Sequence, residues 1–268
     1  MLRPQDQDKL RQQFQSAQPF PHVVIDNFLQ PEIAAEIAQS YPTFATAKEF
    51  GFAFNAVNEQ KKVQVTESAR FPDPVRRLND ALASPKFLQE LAYITGIPNL
   101  IADVNLAGGG MHITGPGGRL DVHVDFNYDA ERALHRRLNI LVYLNPVWEP
   151  AWGGEIELWD EKVKNCGARL LPIINRCLIF RTNETSYHGV RPVMAPDGLE
   201  RKSFAAYYYT REAPESWTGQ AHSTVFRARP EEFVRGFLLM PAERLKRETL
   251  SRYNKLKKRV KRILVGTD

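Results

Sequence analysis

The pattern of apolar and polar residues changes near residue 100. Upstream of that point, apolar residues recur at the three- and four-residue intervals typical of helices, interrupted by one compact apolar run. The predicted elements are a short, weakly held helix in 1–18, a β-type run in 19–29, a helix in 31–41 and a helical zone from about 74 to 95. Pro31 suits the first turn of a helix, and Gly96 ends the last one. Residues 43–70 show no clear period.

Downstream of residue 100, short strand-like runs follow one another, separated by turn signals such as Gly115-Pro116-Gly117-Gly118. The predicted strands are 101–106, 111–114, 120–124, 138–143, 155–158, 169–171, 177–180, 187–190 and 204–209. Many short strands at this spacing favour an antiparallel sandwich or barrel. The predicted fold class is mainly β with flanking helices, in a single globular domain. Its parts are a supporting region 1–99, a β core 100–213, and a polar loop with basic helices in 214–268.

The chain of 268 residues, 43% hydrophobic, is long enough to bury a large core. Its net charge of +5 is distributed unevenly. Residues 244–262 contain ten Lys and Arg and one Glu, a local charge of +9, which leaves −4 on the rest of the chain. A nucleic-acid-binding fold carries its positive charge on the fold itself, so no nucleic-acid partner is expected.

Other sequence features narrow the expected setting of the protein. No apolar stretch approaches the roughly 18 residues of a membrane span, and the N-terminus lacks the apolar segment of a signal peptide. Cys166 and Cys177 form neither a disulfide framework nor a zinc pattern. A cytoplasmic location is therefore expected.

The candidate chemistry begins at His123-Val124-Asp125. Residues i and i+2 of a strand point to one face, so this imidazole and this carboxylate can converge on one point. His188, in a later strand-like run, is the candidate third ligand. Two imidazoles and one carboxylate form the facial triad of non-haem Fe(II) oxygenases. Taken alone, the His-X-Asp tripeptide also fits ordinary surface or hydrogen-bonded core histidines.

A basic residue follows the candidate triad at Arg201. The planar guanidinium of arginine binds a carboxylate through two hydrogen bonds. Ser203 shares the strand face of Arg201, whereas Lys202 points the other way, so the pattern favours Arg201 over Lys202 as the carboxylate ligand. The alternative is a solvated Arg-Lys pair.

Four segments, taken in order, resemble the 2-oxoglutarate/Fe(II) dioxygenases of the prolyl-4-hydroxylase-like branch, in their bacterial type. They are Leu138–Asn145, Trp152–Leu158, Tyr187–Val193 and Arg201–Ser203. The resemblance covers roughly residues 19–210. It implies a double-stranded β-helix, or jelly roll, with Fe(II) at its mouth. The interval from His188 to Arg201 is longer than usual in that family, with Met194–Leu199 as an inserted turn.

The resemblance also implies roles for particular residues. Fe(II) is expected on His123, Asp125 and His188. The co-substrate 2-oxoglutarate is expected on Arg201, with Tyr143 and Ser203 as hydrogen-bonding partners, and ascorbate is expected to support activity. The carboxylate of Asp125 favours hydroxylation over halogenation, because related halogenases have a small residue at that position.

The implied reaction hydroxylates an unactivated C–H bond of an amino-acid-like, peptidyl or other small-molecule substrate, with O2 consumed and succinate and CO2 released. Two alternatives stay open: a non-catalytic jelly-roll binding module, and an oxygenase acting on a sugar or lipid precursor at a membrane surface. Substrate specificity is expected in loops, here 43–70, 127–137 and 214–230.

Three further features have two readings each. His112 either lines the pocket mouth or lies on the surface, and Asn127 either contacts substrate or caps a turn. Residues 244–262 carry an apolar stripe among basic residues. Such a helix either packs on the enzyme itself or makes a weak contact with an anionic membrane surface or an acidic partner.

Overall fold

The computed structural model describes residues 1–242 and Leu245, and these residues form five α-helices and thirteen strands. The helices are α1 (Gln7–Ser16), α2 (Pro31–Ser40), α3 (Phe44–Phe50), α4 (Asp73–Leu82) and α5 (Pro85–Thr95). The strands are β1 (His22–Ile25), β2 (Phe52–Asn55), β3 (Glu59–Val65), β4 (Ile101–Ala102), β5 (Gly110–Val124), β6 (Tyr128–Asp129), β7 (Leu134–Tyr143), β8 (Ile156–Trp159), β9 (Cys166–Leu170), β10 (Cys177–Arg181), β11 (His188–Val190), β12 (Arg201–Thr210) and β13 (Val225–Arg227). The mainly β class with flanking helices is thereby confirmed.

The strands form one curled antiparallel sheet in the order β1-β10-β7-β12-β5-β11-β8-β9. The hairpin β2–β3 and strand β13 pair with β5, while β4 pairs with β12 and β6 with β7. Because the sheet curls, β8 packs across from β7 and β10, and their apolar residues form a cluster between the two layers. That cluster consists of Phe20, Tyr143, Ile156, Leu158, Leu178 and Phe180.

One long strand serves both layers, and here the sequence prediction was wrong. Residues 115–118 were expected to form a turn between two strands, but β5 runs through them without reversing. Its start, at residues 110–114, pairs with β12, and its end, at residues 120–123, pairs with β11. Gly117 has a φ of +76°, and a Cβ on Gly118 would lie 2.4 Å from the Thr114 methyl, so glycine permits this bend.

Alternate residues of each central strand serve two different environments. On β7, Leu138, Ile140 and Val142 belong to the large core under the helices, while Tyr143 faces the other layer. On β12, Phe204 likewise lies on the helix side. The opposite face of these strands is therefore left for polar residues and the candidate site.

The N-terminal region differs from the prediction in three places. The helical zone 74–95 is two helices, because the Ser84 side chain caps α5 at the Phe87 amide and Pro85 occupies its first turn. Residues 43–70, which had no clear period, form α3 and the hairpin β2–β3. The first helix is firmly docked, since the Phe14 side chain is fully buried.

The predicted parts 1–99, 100–213 and 214–268 do not coincide with the limits of the sheet. Strands β1, β2 and β3 come from the first part and β13 from the last, and all four pair with core strands directly or through a neighbour. The predicted basic helix in 244–262 lies outside the described residues except for Leu245. No helix in the described part of the chain is long and apolar enough to cross a membrane.

Candidate metal centre and co-substrate pocket

The three predicted metal ligands meet at one point between β5 and β11. The register pairs His123 directly with His188, and Asp125 follows the last residue of β5. The Nε2 atoms of both histidines lie 3.6 Å from Asp125 carboxylate oxygens, and the three donor atoms all lie within 4.8 Å of one another. Two metal–ligand bonds of about 2.1 Å span up to about 4.2 Å, and the two 3.6 Å separations between the histidine nitrogens and the Asp125 oxygens lie within that span. The donor set and its spacing therefore fit one Fe(II) ion.

Backbone carbonyls orient both imidazole rings. His123 Nδ1 lies 2.9 Å from the Asp121 carbonyl oxygen, and His188 Nδ1 lies 3.0 Å from that of Ser186. With each Nδ1–H donating to a carbonyl, the Nε2 lone pair of each ring is directed at the metal position. Burial, with a contribution from His123, lowers the pKa of His188 to about 4. This imidazole is consequently neutral at physiological pH, as metal binding requires.

Two residues that the sequence analysis did not single out hold Asp125. The Asn139 amide donates to Asp125 Oδ2 at 2.8 Å, and Arg136 Nη2 lies 3.1 Å from the same oxygen. Arg136 also donates to the Asn139 side-chain oxygen and stacks on the Tyr207 ring, 3.6 Å from its centroid. Burial opposes the charge of Asp125, but Arg136 and the two histidines hold the pKa of this carboxyl well below its usual range.

The triad borders a cavity of about 320 Å³ enclosed by the curled sheet. Its wall also carries Arg201 and Ser203 of β12, side by side on one strand face as predicted. Lys202 is not on this wall; its Nζ lies 3.6 Å from Glu200, and its backbone amide donates to Asn145. Residues 191–200 form the loop before β12, which contains the segment interpreted as an inserted turn.

Three buried polar atoms in this region have no hydrogen-bond partner among the described residues. They are Arg201 Nη2, Ser203 Oγ and the Tyr143 hydroxyl. Arg201 is anchored by its Nε, which donates to the Gly154 carbonyl at 2.7 Å, and its guanidinium carbon lies 5.1 Å from the Tyr143 ring centroid. Burial raises the pKa of Tyr143, so the phenol keeps its proton. A buried donor without a partner costs about 1–3 kcal/mol, and a carboxylate bound in the cavity could accept from Arg201 and Ser203, which line it.

The two residues predicted as substrate contacts have different environments. His112 lines the cavity, with its Nε2 3.0 Å from the Gly108 carbonyl oxygen. The Asn127 side chain instead forms hydrogen bonds between separate loops. Its amide donates to Glu184 and to the Gln220 carbonyl, and its oxygen accepts from the His222 amide. A substrate contact for either residue stays a prediction.

Further cavity residues come from segments whose pattern did not identify them. Phe54, Lys62 and Gln64 belong to the β2–β3 hairpin, and Phe226 of β13 lies with its ring centroid 5.3 Å from that of His123. For Asn139 a signal did exist, since it is a polar residue on the inward face of a strand that is otherwise apolar from Leu138 to Tyr143. For Phe226 the sequence pattern contained no comparable signal.

Comparison with known proteins agrees with this geometry. A family model described as the 2OG-Fe(II) oxygenase superfamily matches residues 109–209, which include the whole triad and Arg201. No curated protein matches the chain.

Several solved structures share the fold at low sequence identity. A prolyl hydroxylase from Trichoplax adhaerens, in complex with a peptide fragment of a hypoxia-inducible factor, is 18% identical with a TM-score of 0.55, covering 76% of this chain and 88% of that one. A prolyl-4-hydroxylase from Pseudomonas putida is 15% identical with a TM-score of 0.56, covering 76% of this chain and all of that one. A prolyl 4-hydroxylase from Phytophthora capsici is 19% identical with a TM-score of 0.55, and the match covers 92% of this chain and 78% of that one.

The resemblance inferred from four short segments is therefore confirmed, both by the family model and by the fold. The double-stranded β-helix has the expected His-Asp-His cluster at the end of β5. Residues 109–209 match the model of the 2OG-Fe(II) oxygenase superfamily, and this match, the His-Asp-His cluster and the fold shared with prolyl 4-hydroxylases together support a 2-oxoglutarate-dependent non-haem iron dioxygenase.

Proposed function

We propose that the protein hydroxylates an unactivated C–H bond of an amino-acid-like, peptidyl or other small-molecule substrate, consuming O2 and 2-oxoglutarate and releasing succinate and CO2. One observation carries the proposal. Arg201 and Ser203 line the cavity that also contains the triad, and Tyr143 is paired with Ser203 on the neighbouring strand; Arg201 Nη2, Ser203 Oγ and the Tyr143 hydroxyl are buried without a hydrogen-bond partner among the described residues. A non-catalytic module has no need to keep such costly polar atoms next to an intact metal site.

The residues divide between metal and co-substrate. His123, Asp125 and His188 would hold Fe(II), and Arg201 would bind the distal carboxylate of 2-oxoglutarate with help from Tyr143 and Ser203. When bound, Fe(II) would supply the centre for O2 activation, with 2-oxoglutarate as the electron donor that is oxidised to succinate and CO2 while the substrate C–H bond is hydroxylated.

The protein contributes positioning and exclusion of water. Asn139 and Arg136 fix the Asp125 carboxylate, which occupies the position that a halogenase leaves open for halide. Phe226 of β13 lines the cavity with its ring centroid 5.3 Å from that of His123, so an apolar side chain would border the metal position there.

One similarity in fold to a solved structure favours a peptidyl substrate. The Trichoplax adhaerens structure contains a peptide fragment with a prolyl hydroxylase of the same fold. In the present chain the cavity wall receives Phe54 and Lys62 from the segment 43–70 and Thr224 and Phe226 from the segment 214–230. These are two of the three segments in which substrate specificity is expected.

The proposal is tested by succinate formation over a substrate library, with Fe(II), ascorbate and 2-oxoglutarate present. His123→Ala, Asp125→Ala and His188→Ala should each abolish turnover while the protein stays folded, because each supplies one ligand of the facial set. His22→Ala, a half-buried histidine away from the cavity, is the matched control and should keep wild-type turnover. Wild-type turnover in any triad variant contradicts the metal assignment. Absence of succinate above an iron-free blank contradicts the enzymatic role in favour of a binding module.

A further inference from the structure

The helical segment that follows β13, residues 233–242, turns its apolar side outward. Phe233, Val234, Phe237 and Leu238 are exposed by 71%, 65%, 78% and 66% of their surface. They form two pairs four residues apart, so they lie along one side of the helical segment. We call these four residues the outward face. Contiguous exposed apolar side chains of this size mark an interaction surface on a protein.

The inward side of the same segment is anchored by charge. Arg235 donates to Asp121 Oδ2 at 2.8 Å, and Glu232 forms an ion pair with Arg119. Just before the segment, Arg229 Nε donates to Glu157 at 2.7 Å. The Asp121 and Glu157 side chains are almost completely buried. The segment thus directs Arg235 and the buried Met240 inward while the four apolar residues of the outward face point to solvent, which an ordinary solvent-facing helix avoids.

The sequence that continues from the outward face supplies the second observation. Residues 244–262 have a local charge of +9, whereas the rest of the chain carries −4. Ten basic residues within nineteen positions call for a broad anionic surface rather than a single acidic side chain. A second copy of the chain fits poorly, because it would bring another +9 segment to the same interface.

We propose that the outward face docks on an anionic lipid surface with its apolar side chains at the level of the acyl chains, and that the +9 charge carried by the sequence 244–262 adds attraction to the anionic headgroups. Apolar residues beside a Lys/Arg-rich segment are the combination that binds membrane interfaces. Each basic residue near such a surface adds attraction of about 1 kcal/mol. Thr224 and Phe226, at and just before the adjoining β13, line the active-site cavity, so docking would bring the cavity close to the lipid surface.

The test is co-sedimentation of the full chain with vesicles of phosphatidylcholine and phosphatidylserine, with pure phosphatidylcholine vesicles as reference. Binding is expected only to the anionic vesicles and should weaken as salt is raised. The double variant Val234→Asp, Phe237→Asp should bind at least about tenfold more weakly. The control Val104→Asp, Val147→Asp makes the same charge change at valines exposed by 82% and 66%, and it should bind nearly as the wild type does. Turnover of 2-oxoglutarate in solution should be unchanged in both variants.

Three results would overturn the proposal. The first is no binding of the full chain to anionic vesicles at low salt. The second is binding that survives Val234→Asp, Phe237→Asp but is lost on deletion of residues 244–268, which would leave charge alone as the cause. The third is a dimer in sedimentation velocity that the double variant dissociates, because a second copy would then cover the outward face.

Discussion

Replacing Arg201 with alanine is expected to weaken 2-oxoglutarate binding by about thirty-fold to a few thousand-fold. Arg201 is 4% exposed, and its Nε donates to the Gly154 carbonyl. Its Nη2 has no hydrogen-bond partner in the described part of the chain. Without it, the carboxylate of 2-oxoglutarate would be buried unpaired, which costs about 2–5 kcal/mol. At about 1.4 kcal/mol for each factor of ten, this range gives the expected loss of affinity.

The assay is the apparent affinity for 2-oxoglutarate, measured by calorimetric titration in the presence of Fe(II) under anaerobic conditions. Arg201→Lys should fall between alanine and wild type, because lysine keeps the charge but loses the planar pair of donors. Lys202→Ala is the matched control. It removes a neighbouring cation that lies off the cavity and beside Glu200. Its affinity should stay close to that of the wild type.

Arg201 is not the carboxylate ligand if Lys202→Ala weakens 2-oxoglutarate binding more than Arg201→Ala does, or if both variants leave the affinity unchanged. A merely structural role for Arg201 predicts a different outcome, namely a lower melting temperature with unchanged affinity in the fraction that stays folded. Thermal unfolding of both variants without 2-oxoglutarate therefore belongs to the same experiment.

Three other perturbations have expected outcomes. Asn139→Ala removes the donor to Asp125 and should lower Fe(II) affinity by about 10- to 100-fold in an anaerobic titration. Arg229→Met removes the closest cation from buried Glu157 and should lower the melting temperature by about 6 °C or more in calorimetry, since breaking a buried pair costs about 3–5 kcal/mol. Burial holds the pKa of His112 well below 6.5, so the folded state resists its protonation and stability should fall as the pH drops below that value. The share of the loss due to His112 is up to about 1.4 kcal/mol at about pH 5.5, so His112→Gln should lose less stability than the wild type by up to that amount.

Each of these expectations has a control or a contradicting result. Asn105→Ala and Arg211→Met change exposed residues of the same types and should leave Fe(II) affinity and melting temperature unchanged. Unaltered Fe(II) affinity in Asn139→Ala would show that Arg136 alone suffices to orient Asp125. An equal loss of stability on acidification in wild type and His112→Gln would place the titrating group elsewhere.

Local pattern was sufficient to place the candidate metal and co-substrate residues on one face, because that placement follows strand alternation. The two-residue spacing of His123 and Asp125 predicted their common face, and the same alternation separated Arg201 and Ser203 from Lys202. The structure has all four of those side chains on the cavity and Lys202 off it. The run of many short strands likewise indicated an antiparallel sandwich or barrel, and the structure has apolar clusters on both faces of β7.

Other features depend on contacts between residues far apart in the chain, and these the pattern did not predict. The segment 115–118 has the composition of a turn. It nevertheless forms a bend within a continuous β5, because the residues before it pair with β12 and the residues after it pair with β11. Phe226 reaches His123 only because β13 pairs with the end of β5. Alternation along a strand determines which face a side chain occupies, but which strand lies opposite depends on the packing of the whole sheet.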